Sequence, residues 1–361
     1  MDIQLILTED CNLSCAYCYM KNKVKNYMTK EDIDLLLQNI DFLLKEYKTS
    51  RCKISYFGGE PLLNWEVLKY AYNRFSQDNR VLEHSLTSNL LLIDEEKVEF
   101  LNKSKIRVSW SFDGLWQNEN RPLKNFQQSH NIYLQKQDLL KKLKIYRIIT
   151  VVQPNNISQM VENLEYLATW NLSPTYQIAL GTIWTDQDID LFDKEFSRVC
   201  DRCVELTKQG SSILAHSLFL IILRVMKETE KNNYNMFSCN AGINLAAFFP
   251  NGIIYPCAMF GNNKKLPLYN IRDKISFQQN IDFIKNMAKH NLDTHKQCSN
   301  CNIFPYCFGG CSYLNLYNQK DNTFGNPPIF CKIFKIIIRE SMRLYEELKH
   351  NDLFYQLLQK K

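Results

Sequence analysis

Residues 11–19 read Cys-Asn-Leu-Ser-Cys-Ala-Tyr-Cys-Tyr and place Cys11, Cys15 and Cys18 in a C-x3-C-x2-C pattern. A structural zinc site normally has four protein ligands, and an iron–sulfur cluster is also usually held by four cysteines. Three closely spaced thiolates therefore favour a cluster in which one iron stays open for another ligand. The alternatives are a zinc knuckle or three unrelated cysteines of the core.

The motif resembles the signature of the radical S-adenosylmethionine (radical SAM) enzymes, in which it binds a [4Fe–4S] cluster. The resemblance implies that S-adenosylmethionine chelates the open iron and is cleaved to a 5′-deoxyadenosyl radical, which abstracts a hydrogen atom from the substrate. It also implies that Tyr17 lies against the adenine. The cofactor then supplies the chemistry, while the protein supplies orientation and exclusion of water.

The bulk composition excludes several other classes of protein. The 361 residues are enough for more than one domain, and the net charge of +6 comes from scattered basic residues, so we expect no nucleic-acid partner. The N-terminus has no signal-peptide pattern, and the longest apolar stretch, 213–225, is too short to cross a bilayer. Thirteen cysteines in such a chain indicate a cytoplasmic location and bound metal rather than disulfides.

The first half of the chain predicts strands that alternate with amphipathic helices, which indicates a parallel sheet. Thr29, with Asp32 three residues later, marks the start of the first helix. The predicted strands are 3–8, 53–57, 81–87, 106–112, 145–152 and 175–180. Six such units resemble the partial (β/α)6, TIM-like barrel of the radical SAM fold, whose functional loops follow the carboxyl ends of the strands.

Three of these loops carry candidate cofactor-binding residues. Gly58-Gly59-Glu60 permits a close backbone approach and offers a carboxylate; it resembles the GGE motif, which binds the methionine amino group. The loop ending in Asn89 resembles a Thr-Asn-Gly element of the same pocket. Ser111 resembles the serine of a Ser-x-Asp-Gly motif that contacts the ribose. Ordinary turn chemistry is the alternative for Asn89 and Ser111.

The C-terminal half contains a second cysteine pattern, and its members are Cys239, Cys257, Cys298, Cys301, Cys307, Cys311 and Cys331. This spacing resembles the SPASM domain, which holds two auxiliary [4Fe–4S] clusters and would bring the total to three. The resemblance implies two ligand sets, a distal one of Cys298, Cys301, Cys307 and Cys331 and a nearer one of Cys239, Cys257 and Cys311. A zinc site is the alternative for residues 298–311.

Two departures from the sulfatase-maturating relatives concern the nearer cluster. Those enzymes have a further cysteine between the first two positions and an aspartate after the second, whereas this chain has no cysteine between Cys239 and Cys257 and has Ala258. Both departures argue against their mechanism. The open iron could bind a substrate thiolate, or else water or a non-cysteine protein ligand. No catalytic base can be named, and we predict that Cys200 and Cys203 are buried thiols rather than a redox pair.

Together these patterns predict a radical SAM barrel over 1–185, linker helices over 186–238, a SPASM domain over 239–331 and a C-terminal helix over 332–361. The predicted function is maturation of a ribosomally made peptide, with a thioether cross-link favoured over a carbon–carbon or carbon–oxygen bond. The alternatives are a protein-oxidising, sulfatase-maturating type of enzyme and a non-enzymatic iron–sulfur or zinc protein.

The expected partners follow from the same reading. They are a precursor peptide and a flavodoxin- or ferredoxin-type electron donor, with no membrane partner. Because the first predicted strand begins at Ile3, we expect no N-terminal leader-binding domain. Leader recognition would then fall to a separate protein or to the barrel surface, or there would be none.

Overall fold

The computed structural model describes residues 1–20, 23–180, 182–214, 239–288, 296–317 and 327–359. The chain divides into two compact units that interleave along the sequence. The first contains residues 1–111, 121–146 and 239–289, and the second contains residues 112–120, 147–238 and 290–361. The four segments proposed from the sequence, and the three boundaries between them, stay predictions.

The strands are short and mostly lie where the alternating pattern predicts them. They are Asp2–Ile6 (β1), Cys52–Phe57 (β2), Val81–Ser88 (β3), Ile106–Ser111 (β4), Ile145–Val152 (β5), Pro174–Ile178 (β6), Leu245–Phe248 (β7), Ile253–Tyr255 (β8), Tyr269–Asn270 (β9) and Ile275–Ser276 (β10).

The helices differ more in length. They are Lys30–Gln38 (α1), Ile40–Glu46 (α2), Trp65–Phe75 (α3), Glu95–Lys103 (α4), Gln117–Asn120 (α5), His130–Gln135 (α6), Gln137–Lys142 (α7), Met160–Thr169 (α8), Asp186–Lys208 (α9), Ala258–Asn262 (α10), Gln278–Ala288 (α11), Phe304–Cys307 (α12), Ser312–Tyr317 (α13), Pro328–Leu348 (α14) and Asp352–Gln359 (α15).

In the first unit, β1 to β4 are parallel neighbours in sequence order. The other side of β1 pairs in parallel with β7, with Asp2 opposite Leu245. The antiparallel strands β8, β9 and β10 then extend the sheet. Because β1 to β4 run in one direction, the loops after them all emerge at the same end of the sheet.

One face of this sheet is buried and the other is polar. The alternate residues Ile3, Leu5, Ile54 and Tyr56 are at most 1% exposed. The residues between them, such as Ser55, are half-buried or exposed. Side chains alternate between the two faces of a strand, so the buried face forms the core and the polar face remains accessible.

The predicted start of the first helix is confirmed. The backbone N–H of Asp32 donates to Thr29 Oγ1 at 3.2 Å, and the N–H of Thr29 donates to Asp32 Oδ2 at 2.9 Å, which is a complete capping box. Within the span 186–238 predicted for linker helices, α9 covers Asp186–Lys208, residues 211–214 are not helical, and residues 215–238 lie outside the described residues. The predicted C-terminal helix is instead the pair α14 and α15.

In the second unit, β5 and β6 pair in parallel, with Ile148 opposite Pro174. Helices α9 and α14 contribute to its apolar core, in which Cys200 and Cys203 are fully buried. The prediction that these two cysteines are buried thiols is therefore confirmed. Among the described residues, no helix is both long enough and apolar enough to cross a membrane.

Candidate functional site

The loop that follows β1 carries the first cysteine motif. Cys11 is buried, and Cys15 and Cys18 are half-buried. Two local hydrogen bonds shape this loop. The N–H of Leu13 donates to Cys11 Sγ at 3.4 Å, and the N–H of Cys18 donates to the carbonyl of Cys15 at 3.2 Å. Burial, with the nearby Glu60 carboxylate, raises the pKa of Cys11 to about 12. Cluster binding would therefore have to displace a proton from this thiol.

Asp10 anchors the start of this loop. Its carboxylate accepts hydrogen bonds from the N–H of Cys11 (2.8 Å), the hydroxyl of Tyr27 (2.9 Å) and Nζ of Lys124 (2.5 Å). Burial opposes ionisation of Asp10, but the bonds from Lys124, Tyr27 and Cys11 outweigh it and lower its pKa. Sequence reasoning missed this residue, and its position directly before the first cysteine was the one signal for it.

Gly58 and Gly59 press the next loop against the cysteine loop. The N–H of Gly59 donates to the Thr8 carbonyl and the N–H of Glu60 donates to the Asp10 carbonyl, both at 2.8 Å. A Cβ at Gly59 would lie 2.0 Å from the Asp10 carbonyl oxygen. A Cβ at Gly58, where φ is +144°, would lie 2.4 Å from the Thr8 carbonyl oxygen. The close approach that the two glycines predict is thus made to the chain itself.

Glu60 is buried and its carboxylate is held from three sides. Oε1 accepts from the N–H of Leu62 (2.9 Å) and from Ser88 Oγ (2.7 Å), and Oε2 accepts from the N–H of Asn89 (2.8 Å). Burial nevertheless raises the pKa of Glu60 to about 7. A carboxylate has about four acceptor positions, so three donors leave one for a ligand ammonium. That binding role stays a prediction.

Asn89 connects the end of β3 to the cysteine loop. Its amide nitrogen donates to Asn12 Oδ1 at 2.7 Å, and its side-chain oxygen accepts from the N–H of Leu91 at 3.0 Å. Its backbone carbonyl accepts from the Tyr133 hydroxyl at 2.6 Å. These contacts give Asn89 a positioning role, and the predicted contact with a ligand is a separate expectation that stays a prediction.

Tyr17 and Ser111 are the last two of the predicted cofactor-binding residues at this end of the sheet. Tyr17 is half-buried, and the guanidinium carbon of Arg121 lies 5.3 Å from its ring centroid, which is a cation–π distance. Arg121 had no signal in the sequence. Ser111 is the half-buried last residue of β4, so it lies at the same end of the parallel sheet as Glu60 and Asn89.

The second unit contains a cavity of about 260 Å³ lined by Cys298, Cys301, Cys307 and Cys331. Burial, with the charges of neighbouring thiolates, raises the pKa of Cys298 to about 11 and that of Cys307 to about 12. These are the four residues predicted for the distal cluster. Four thiol donors around one cavity fit the ligand set of a [4Fe–4S] cluster.

The remaining predicted ligands are divided between the units. Cys239 is exposed and Cys257 half-buried in the first unit, and Cys311 is half-buried in the second. Their predicted grouping stays a prediction. Across the part of the chain that the structure describes, no three Cys, His, Asp or Glu side chains are arranged to bind a single metal ion.

Comparison with known proteins finds one matching family model and several similar proteins. Residues 5–167 match the model of the Radical SAM superfamily. The radical SAM cyclopropyl synthase TigE of Paramaledivibacter caminithermalis is 22% identical over 96% of this chain and 74% of that protein. The cysteine-type anaerobic sulfatase-maturating enzyme of Clostridium perfringens (strain 13) is 26% identical over 90% of this chain and 91% of its own length.

A solved structure confirms the fold. Native anSMEcpe with bound AdoMet and Cp18Cys peptide superposes with a TM-score of 0.75 at 20% identity, covering 100% of both chains. The predicted fold class, a partial barrel followed by a cysteine-rich region, is therefore confirmed.

Proposed function

We propose that this chain, a radical SAM enzyme whose residues 5–167 belong to the Radical SAM superfamily, oxidatively modifies a peptide. The observation that carries the proposal is the thiol-lined cavity of the second unit, formed by Cys298, Cys301, Cys307 and Cys331. A chain that only generated a radical would need one cluster, whereas a modification that removes two electrons also needs an electron acceptor. The sulfatase-maturating relative and the solved relative with a bound peptide support this class of substrate.

Each part of the site has a proposed role. Cys11, Cys15 and Cys18 would hold the radical SAM cluster, and Glu60 would accept a hydrogen bond from the ammonium of S-adenosylmethionine. Tyr17, Asn89 and Ser111 would border the adenosine. When bound, the cluster and S-adenosylmethionine supply the hydrogen-abstracting radical. The chain orients them through the contacts of Asp10 and Asn89 described above.

We propose that two auxiliary [4Fe–4S] clusters complete the cofactor set. The distal one would use the four cysteines of the cavity, and the nearer one would use Cys239, Cys257 and Cys311. All thirteen cysteines lie in the described residues, and none forms a disulfide. This thiol-rich composition supports a reducing, cytoplasmic location.

A thioether cross-link is our first choice of product, because three cysteines leave an open iron for a substrate thiolate. The relative named a cyclopropyl synthase supports a carbon–carbon bond as the second choice. The sulfatase-maturating type of reaction is favoured by the likeness to the Clostridium perfringens enzyme over 91% of its length. Ala258, which replaces the aspartate expected for that reaction, argues against it.

The partners in this proposal are a precursor peptide and a flavodoxin- or ferredoxin-type electron donor. A separate leader-binding protein is a further proposed partner. The solved relative with a bound peptide supports the first of these.

The test is iron and sulfide content after anaerobic reconstitution, in the wild type and in a Cys11/Cys15/Cys18→Ala variant. Three [4Fe–4S] clusters predict about twelve irons per chain, falling to about eight in the variant. About four irons falling to none, with zinc in the remainder, would overturn the auxiliary clusters and the oxidative function with them.

A second measurement tests the reaction itself. The loaded enzyme is mixed with candidate precursor peptides, and their masses are recorded. Loss of two hydrogens with a new cross-link supports the maturase. A new aldehyde in the Cp18Cys peptide would instead favour the sulfatase-maturating type.

A further inference from the structure

The accessible face of β1 to β4 carries a connected row of polar side chains in the first unit. By strand alternation and register, this row consists of Asp2, Gln4, Lys53, Ser55, Glu83, Ser85, Thr87, Arg107, Ser109 and Ser111. Lys53 and Arg107 both pair with Glu83, each at 2.7 Å. The hydroxyl and charged groups of this row lie on a half-buried face. They can therefore contact a ligand as well as stabilise the sheet.

Three members of the row form a hydrogen-bonded chain. Ser55 Oγ donates to Asp2 Oδ1 at 2.8 Å, and Ser85 Oγ donates to Ser55 Oγ at 2.9 Å. An ionised carboxylate can only accept, so Asp2 fixes the direction of both bonds. Among the hydrogen bonds of the described residues, none is donated to the Ser85 hydroxyl oxygen. That oxygen can therefore accept a proton from a ligand.

The surroundings of Asp2 raise its pKa above that of an exposed aspartate, which strengthens it as a proton acceptor. Burial raises its pKa, and the carboxylate of Glu83 on β3 adds to this effect. The bond from Ser55, the ammonium of Lys53 on β2 and the α-amino group of Met1 oppose it without cancelling it. On the other side of β1, Asp2 lies opposite Leu245 and its N–H donates to the carbonyl of Asn244, neither of which titrates.

The polar face of β1 to β4 connects two residues of the candidate site, Ser111 and Cys257. Ser111, proposed to border the adenosine, follows Arg107 and Ser109 on the same face of β4. At β1, the N–H of Ala258, directly after Cys257, donates to Gln4 Oε1 at 3.2 Å. A peptide modified next to Ser111 and Cys257 would therefore lie against the hydroxyls of this row.

We propose that Ser85, Ser55 and Asp2 form a relay that removes a proton from the substrate. This inference rests on the proposed function. A substrate O–H, N–H or S–H group loses its proton to the oxygen of Ser85, Ser85 passes its own proton to Ser55, and Ser55 passes its own proton to Asp2. The carboxylate becomes a carboxylic acid, the substrate group becomes an anion, and no electron is transferred. Ser85 is the catalytic residue, and Ser55 and Asp2 act through it.

The test compares Asp2→Asn, Ser55→Ala and, as the conservative variant that keeps the hydroxyl, Ser55→Thr. The first readout is the pKa of Asp2 in the cluster-loaded full chain, from infrared difference spectra of ¹³C-aspartate-labelled protein with Asp2→Asn as the blank. Because the Ser55 bond lowers this pKa, Ser55→Ala is expected to raise it and Ser55→Thr to restore it. An unchanged pKa in Ser55→Ala would overturn the relay, whatever reaction the enzyme catalyses.

The second readout is turnover with the peptide identified by its mass loss in the assay above. The proposed relay moves only a proton and does not hold the radical SAM cluster, so Asp2→Asn and Ser55→Ala should still form 5′-deoxyadenosine while modified peptide falls about 100-fold. Ser55→Thr should keep the two products coupled. Coupled products in all variants would overturn the relay. Failure of the proposed function would look different, because the wild type itself would then modify no peptide.

Discussion

The side-chain amide of Asn89 donates a 2.7 Å hydrogen bond to the side-chain oxygen of Asn12, which joins the end of β3 to the loop of the first cysteine motif. The two residues are 77 positions apart in the sequence. This bond ties a loop that carries cluster ligands to the rigid sheet, so its loss should be measurable before any cofactor is added.

Asn89→Ala should therefore destabilise the metal-free chain. The substitution leaves Asn12 Oδ1 and the N–H of Leu91 without their partner at a buried position, which costs roughly 1–3 kcal/mol in the free energy of unfolding. Urea unfolding measures this cost. Asn125→Ala is the control, because its side chain makes an exposed bond to the N–H of Gln127. Equal stability of the two variants would contradict the anchoring role.

Binding of S-adenosylmethionine should depend on pH through Glu60. Burial raises the pKa of Glu60 to about 7. The fraction of Glu60 that is ionised, and can therefore bind a cation, grows as the pH rises from 6 to 8. The affinity of the cluster-loaded enzyme should rise about tenfold over this interval. Equilibrium binding measures it, with Glu60→Gln as the control that should bind weakly at every pH. A flat profile in the wild type would show that the ammonium is bound elsewhere.

Gly59→Ala should prevent assembly of the first cluster. The new Cβ would lie 2.0 Å from the Asp10 carbonyl oxygen and 3.2 Å from Cys11 Cβ, so the cysteine loop must move. Iron content should fall by about four per chain, with the distal cluster retained. The matched control is Gly210→Ala, where no atom lies within 4 Å and only the φ of +86° is strained, at a cost of about 1–2 kcal/mol. Full iron content in Gly59→Ala would refute the steric argument.

The two classes of cysteine in the second unit should respond differently to substitution. Cys200→Ala removes a fully buried core sulfur, and it should lower the free energy of unfolding by about 1–2 kcal/mol with unchanged iron content. Cys301→Ala, in the thiol-lined cavity, should instead lose about four irons per chain. Metal analysis and thermal unfolding of both variants decide the point. Loss of iron from Cys200→Ala would mean that this thiol is a ligand.

Local sequence patterns were sufficient for the strands of the barrel. The alternation of apolar residues predicted β5 at its observed bounds and placed β2 and β3 within one residue. The capping pair Thr29 and Asp32 was also readable, because it depends on residues three apart. The pair Gly58-Gly59 correctly predicted that the backbone makes a close approach at this loop. It did not predict which group the backbone approaches.

Long-range contacts account for what the sequence did not reveal. Helices α6 and α7 are separated at Lys136, whose ammonium donates to the carbonyls of Leu91 and Ile93, and the local amphipathic pattern does not indicate this break. Strands β7 to β10 were missed, because each is at most four residues long and β7 pairs with a strand more than 200 residues earlier. Asp10, Ser88 and Arg121 act through partners that no local motif names.

The parallel pairing of β7 with β1 bears on how such enzymes can be recombined. If the cysteine-rich region were joined to the barrel only by a linker, it could be exchanged between enzymes as a unit. Here, cutting before residue 245 removes a neighbour of β1 and exposes a new sheet edge, which invites aggregation. A functional chimera would have to keep β7 with the barrel that supplies β1, and place its junction after Phe248.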